Sequence, residues 1–202
     1  VTRRESVTLF PSGASTFSPN GTRVIRIPLT TDGWVDATTC MLNFSIQNNS
    51  TVADTSSAKS RVELLGSQAS VFGRLRINVG GQNLESIEYY NRFYNQMLEL
   101  APSSYLENFA VLGPGTKEAY PTSKWQYFDL RSLPPGVSKQ VSMPIVCGLM
   151  ASGKFLPVRH LSPVIELELC DAAEACFCNV CLYQIRDLRG CELLAEVWLD
   201  LC

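Results

Sequence analysis

Residues 152–169, SGKFLPVRHLSPVIELEL, decide how the chain is to be read. They hold its single histidine, His160, with Arg159 beside it and Glu166 and Glu168 a few positions on. Two readings compete. One is the corner of an active site; the other is a loop that climbs into a strand. From Val164 to Leu169 the side chains alternate, with Val164, Glu166 and Glu168 on one face and Ile165, Leu167 and Leu169 on the other. That period of two belongs to a half-buried strand. A carboxylate pair that moves protons needs a pocket and a partner. The only imidazole lies in a segment bracketed by Pro157 and Pro163. The stretch is therefore expected to be structural, with Glu166 and Glu168 on the solvent or interface face of a two-sided sheet.

The same alternation recurs along the chain. In TRVIRIPL (22–29), Ile25, Ile27 and Leu29 oppose Val24, Arg26 and Pro28. In ATTCMLNFSIQN (37–48), Cys40, Leu42, Phe44 and Ile46 share a face, which is the pattern of a half-buried antiparallel strand. VFGRLRINV (71–79) sets Leu75, Ile77 and Val79 against Arg74 and Arg76, and Gly80-Gly81 then turns the chain. Further strands are expected at 124–133, 139–147, 179–188 and 191–201, with breaks at Pro134-Pro135-Gly136 and Arg189-Gly190. Residues 49–60 are small and polar, and 101–123 carry Pro102, Gly113-Pro114-Gly115 and Pro121; both read as loops, the second long enough to be a contact surface.

One helix stands out. Ile87, Tyr90, Tyr94, Met97 and Leu98 recur at the helical period, which predicts a helix over about 84–100. Ser86 or Asn83 would cap it, Glu85 and Glu88 would suit its positive end, and Pro102 would stop it. The expected fold is all-β: an antiparallel eight-stranded jelly-roll sandwich of two four-stranded sheets, with that helix in a connecting segment. Residues 1–20 read as an N-terminal arm and 21–202 as one domain, since no linker or short repeat interrupts them.

Composition excludes several functions. The 202 residues are 46% hydrophobic and 18% charged, with a net charge of −2 and a pI near 5.5. The arginines are scattered, so the basic face that grips nucleic acid is missing. No apolar run is long enough to span a membrane, and the start does not read as a secretory signal. No G-x-S-x-G, phosphate-loop or dinucleotide fingerprint occurs. One histidine cannot furnish the several imidazoles of a cupin-type metal enzyme.

Eight cysteines, at 40, 147, 170, 176, 178, 181, 191 and 202, invite a disulfide framework or a secreted disulfide-linked trimer. The chain is too long and too apolar to need one, and buried free thiols are expected. CFCNVC (176–181) is the best metal candidate, with Cys170 or Cys191 as a fourth ligand. In a strand, however, Cys176 and Cys178 share a face and Cys181 points away, so no metal, cofactor or catalytic residue is expected. Asn-X-Ser/Thr matches at Asn20, Asn43, Asn48 and Asn49 carry no weight without a secretory signal. Gly80-Gly81 could be a phosphate turn, but too few glycines are present and no Lys-Ser/Thr follows. Tyr89, Tyr90, Phe93 and Tyr94 could stack bases, yet their spacing suits packing of a helix on a sheet end or a neighbouring subunit.

Three stretches taken together resemble a known family. They are LRINVGGQNLESIEYYNRFYNQML (75–98), VSMPIVCGLMASGKFLPVRHLSPVIELEL (141–169) and YQIRDLRGCELLAEVWLDL (183–201). Their order is similar to the first barrel of the viral double-jelly-roll major capsid proteins, the adenovirus, virophage and Polinton-like lineage, over roughly 20–201. The resemblance implies a non-enzymatic shell protein of the virion, assembled inside the host cell as trimeric pseudo-hexagonal capsomers that tile an icosahedron. It implies copies of itself as partners, with minor capsid or vertex proteins beside them, and it makes 49–60 and 101–123 tower or contact loops. It also implies that Phe155, Leu156 and Val158 anchor the loop before the strand at 164–169, that Pro157 and Pro163 fix its path, and that His160 with Arg159 lies at solvent or an interface. The family has two barrels, and this chain has residues for one. A single-jelly-roll vertex (penton) or small-virus capsid protein is thus an alternative. So is a lectin-like binding module that stacks a sugar on Trp34 or Tyr105.

Overall fold

The computed structural model describes residues 5–48, 62–64, 67–100, 132–133, 138–178 and 193–201. Its strands are β1 (Val7–Leu9), β2 (Thr16–Phe17), β3 (Val24–Pro28), β4 (Val35–Asp36), β5 (Met41–Asn48), β6 (Val62–Leu64), β7 (Phe72–Val79) and β8 (Gln82–Glu88). After helix α1 (Tyr90–Leu100) come β9 (Ser132–Leu133), β10 (Ser138–Pro144) and β11 (Phe155–Leu156). Helix α2 (Val158–Leu161), β12 (Val164–Leu169), helix α3 (Ala172–Ala175), β13 (Cys176–Cys178) and β14 (Leu193–Leu201) complete the order.

Two sheets dominate. The first runs β1-β14-β5-β10, with β2 also on β14; the second runs β3-β12-β7-β8. Every pairing is antiparallel. In each sheet a late strand lies between two early ones, β14 between β1 and β5, and β12 between β3 and β7. That interleaving is the wrapped course of a jelly roll. Among the described residues the main sheets hold five and four strands, and β4–β11 and β13–β6–β9 form two small extra sheets.

The alternating residues supply the core. Ile25 and Ile27 of β3, Leu75 and Ile77 of β7, and Ile165 and Leu167 of β12 are buried from one sheet; Leu42, Phe44 and Ile46 of β5 and Val141 and Met143 of β10 are buried from the other. All join one apolar cluster. The ring of Phe44 meets that of Phe72 edge-on, with centroids 5.2 Å apart and planes at 73°. One ring comes from each sheet, so this pair marks where the two sheets face each other.

The region around residue 84 differs from the helix the periodicity predicts. Residues 82–88 are strand β8, joined to β7 by a two-residue turn in which Gly80 and Gly81 have φ of 57° and 81°. Positive φ at both turn residues matches the twist of a tight hairpin, and only glycine takes it without strain. Leu75↔Ile87 and Arg74↔Glu88 pairing holds 84–88 extended, overriding the helical spacing. Tyr89, with φ 54°, then breaks the strand. Its carbonyl accepts from the N–H groups of Arg92 and Phe93, so the helix starts there and not at Asn83 or Ser86.

Two smaller differences follow from local hydrogen bonding. Ala37–Thr39 form a single turn of 3-10 helix and not strand, because Asp36 Oδ1 accepts from Thr38 N (3.2 Å) and Thr38 Oγ1 (2.7 Å). The segment between Pro157 and Pro163 contains the one-turn helix α2. Within 1–20, β1 and β2 pair with β14, in register Val7↔Leu201 and Phe17↔Ala195. The expected loops at 49–60 and 101–123, Pro102, and the expected strand at 179–188 lie outside the described residues, as does 124–131 of the strand at 124–133.

Candidate interaction surface

The carboxylates that open the functional question lie on the outer face of the second sheet. β12 sits between β3 and β7, so Glu166 faces Arg26 on one side and Arg76 on the other, and Glu168 faces Arg74. Arg26 Nε donates to Glu166 Oε1 at 2.7 Å, and the Arg74 guanidinium donates to Glu168. Glu88 lies 3.8 Å from both Arg74 and Arg76, and Arg23 pairs with Asp171 at 3.1 Å. Four arginines thus stand among four carboxylates in a cross-strand lattice. Each exposed pair contributes about 0–1 kcal/mol, so the lattice orders the face more than it stabilises the fold. His160 is exposed on α2, where its backbone N–H donates to the Pro157 carbonyl at 3.0 Å. The stretch that raised the active-site question is therefore a paired-charge strand preceded by an exposed helical turn.

Glu85 has a role that its sequence position does not suggest. From β8 its two oxygens accept from Gly148 N (2.7 Å) and Leu149 N (3.0 Å). The Tyr90 hydroxyl accepts from Val146 N at 3.0 Å. The end of the β7–β8 hairpin and the start of α1 thus hold residues 146–149. Between these contacts lies the buried Cys147, whose thiol is pushed up to about 11 by burial, with the Glu85 carboxylate adding to the shift. Cys170 is pushed up to about 12, again by burial first and by Glu174 next, and its Sγ lies 3.0 Å from the Ser70 carbonyl. Cys40, Cys147 and Cys170 are buried free thiols, as the composition leads one to expect. Cys176 and Cys178 lie on β13; their side chains, with Cys181, Cys191 and Cys202, are outside the described residues. Among the described residues no group of three or more His, Cys, Asp or Glu is placed to hold a metal ion.

The aromatic residues of α1 divide in two. Tyr90 and Tyr94 are fully buried and meet at 5.9 Å, with Phe93 6.4 Å from Tyr90. They pack the helix onto the core and form no stacking platform. Tyr89 is exposed, with the Arg92 guanidinium 5.1 Å from its ring centre. Gly80 and Gly81 serve the hairpin turn.

The apolar surface that the sequence reading only half found is at the β4–β11 ribbon. Val35 pairs with Leu156, and both are buried. Alternation then turns Trp34 and Phe155 outward, where they are 68% and 58% exposed. Leu156 and Val158 anchor this segment as expected, but Phe155 does not: it belongs to the opposite face of a two-residue strand. The odd–even order of Phe155-Leu156-Pro157-Val158 carries that signal. Tyr105 lies outside the described residues.

No protein-family model and no curated protein sequence matches the chain. Solved structures share its fold. PBCV-1 VP54, as fitted into a reconstruction of the virophage Sputnik, aligns with a TM-score of 0.50 at 13% identity, over 99% of this chain and 43% of that one. A chain of the PBCV-1 virus capsid aligns at 0.52 and 13% identity, over 99% and 43%. A chain of the Sputnik virophage aligns at 0.55 and 10% identity, over 98% and 47%. At such identity the likeness is one of fold, and the chain spans less than half the length of each structure it matches.

Proposed function

We propose that the chain is a shell-building jelly roll of a virus capsid, acting by burying surface against copies of itself. One observation carries this reading. The interleaved course of the two sheets follows chains of the PBCV-1 capsid and the Sputnik virophage along 98–99% of its length. Because it covers only 43–47% of those chains, we assign it the place of one barrel in a two-barrel subunit. Three such subunits would make a pseudo-hexagonal capsomer, and capsomers would tile an icosahedral virion shell in the host cell. The side-chain chemistry is consistent with this. The sheet's carboxylates are bound by arginine and its thiols are protonated, and a shell subunit works through many repeated contacts and not through one reactive site.

Native mass spectrometry of the protein from its source tests the proposal, with the denatured subunit mass read beside it. A subunit near twice 22.3 kDa that forms trimers is the expected result. A subunit near 22.3 kDa that forms pentamers or closed shells would replace the two-barrel capsomer with a single-roll capsid or vertex protein. A stable monomer would remove the shell-building function.

A further inference from the structure

Resting on that shell reading, we propose that the outward face of the β4–β11 ribbon is a contact between two copies of this chain, with Trp34 and Phe155 as its anchors. The register places them together. Phe155 lies opposite Asp36, and Trp34 comes two residues before Asp36, at the entry to β4, so Trp34 and Phe155 are diagonal neighbours on one face. Diagonal positions are within reach of aromatic side chains. Leu161, exposed at 37%, follows on α2.

Among the described residues, the other exposed large apolar side chains lie on or beside β1, β3, β8 and α1, Phe10 and Tyr89 being the aromatic ones. The ribbon's register sets the exposed Trp34 and Phe155 at diagonal positions of one face. An aromatic ring of this size can bury about 150–250 Å², against about 800 Å² per partner in a standard interface. The pair is thus large enough to form the anchoring centre of a contact, though not the whole of it.

Charge complementarity selects the occupant. The β4 side carries acids, Asp32 and Asp36; the β11 side carries bases, Lys154 just before Phe155 and Arg159 just after Val158. A second copy related by a two-fold axis running along the strands would set its basic side over the acidic side of the first. The same rotation stacks the aromatic pairs at the centre. The face is self-complementary, as a contact between identical subunits must be. Neither a uniformly charged polymer nor a lipid headgroup layer would match both halves.

The test replaces Phe155 by a photo-cross-linking phenylalanine analogue in the full-length polypeptide and irradiates assembled particles. The expected product is a species of twice the subunit mass, with the link mapped to 32–36 or 154–161 of another copy. Particles that assemble but give no such species, or that link position 155 to a different protein or to a glycan, overturn the contact while leaving the shell reading in place. Failure of the unmodified protein to form capsomers or particles removes the shell reading, and this contact with it. In solution, Trp34→Ser should weaken association at least about tenfold without lowering the melting temperature. Asp32→Lys and Lys154→Asp should each weaken it about threefold, and their combination should restore it. Combined variants that bind no better than either single one would refute the pairing of acidic with basic sides.

Discussion

Glu85→Gln separates two roles for one carboxylate. If Glu85 merely favoured the start of α1 through the helix dipole, its charge would be worth about 0.3–1 kcal/mol. The structure gives it two N–H donors, Gly148 at 2.7 Å and Leu149 at 3.0 Å, from a strand that ends before the helix begins. A hydrogen bond to a charged group contributes about 1.5–3 kcal/mol, and the Gly148 contact is solvent-exposed, so the lower end applies. Glutamine keeps one acceptor, now neutral, and turns an N–H₂ toward the second donor. The loss should be about 2 kcal/mol, and about 3 kcal/mol for Glu85→Ala. For a chain of 202 residues each kcal/mol moves the melting temperature by about 2–4 °C, so Glu85→Gln should lower it by about 4–8 °C. Scanning calorimetry measures this, and amide exchange locates it: protection should fall at Gly148 and Leu149. A drop below about 2 °C with exchange unchanged at those two amides would refute the latch.

Other outcomes follow from the core, the thiols and the turn. Phe44→Ala should cost about 3–5 kcal/mol in urea unfolding, and a Phe44→Leu/Phe72→Leu double-mutant cycle should give a coupling of about 0.5–1.5 kcal/mol; zero coupling would mean the sheets do not meet at this pair. At pH 8, Cys40, Cys147 and Cys170 should resist a thiol reagent until the protein is denatured. Cys147 and Cys170 have folded values near 11 and 12 against an unfolded 9.0, so the unfolded chain loses these protons first. Their contribution to stability is complete below pH 9 and is lost as the pH rises toward 12. Urea midpoints at pH 8 and pH 10.5 should show this, with a smaller fall in Cys170→Ala. Gly81→Val forces a β-branched residue to φ 81° and should cost about 1–2 kcal/mol by the same assay; an unchanged midpoint would argue against the glycine turn.

How much could be read from the sequence depended on the range of the interaction that decided each element. Strands β3, β5, β7 and β12 were legible because one face of each meets the core and the other does not, which writes a period of two into residues such as Ile25-Arg26-Ile27. Strand β8 was not. Its half-buried Ile87 also fits a helical stripe with Tyr90 and Tyr94, and only its pairing with β7, a contact from outside the segment, settles the conformation. Glu85 was misread for the same reason, since its partners lie some 63 residues away in the chain. That Glu166 and Glu168 share the outer face was legible because alternation alone shows which way a strand's carboxylates face. Which arginines hold them required the strand order. Trp34 was noticed as an aromatic on a loop, but nothing local says that β11 will bring Phe155 beside it.

The position of β14 also governs when the molecule can fold. It fills the gap between the β1/β2 edge and β5, so the first sheet lacks an interior strand until residues 193–201 have been synthesised. On the ribosome, the β5–β10 pair and the β1 and β2 segments must wait apart, each with a row of unpaired backbone groups. Such long-range closure is slow, and open edges in the interval invite pairing with the same segments of neighbouring chains. A premature stop before residue 193 would therefore yield a product that recruits other nascent chains into aggregates. The interval before β14 emerges is when protection by a chaperone matters most.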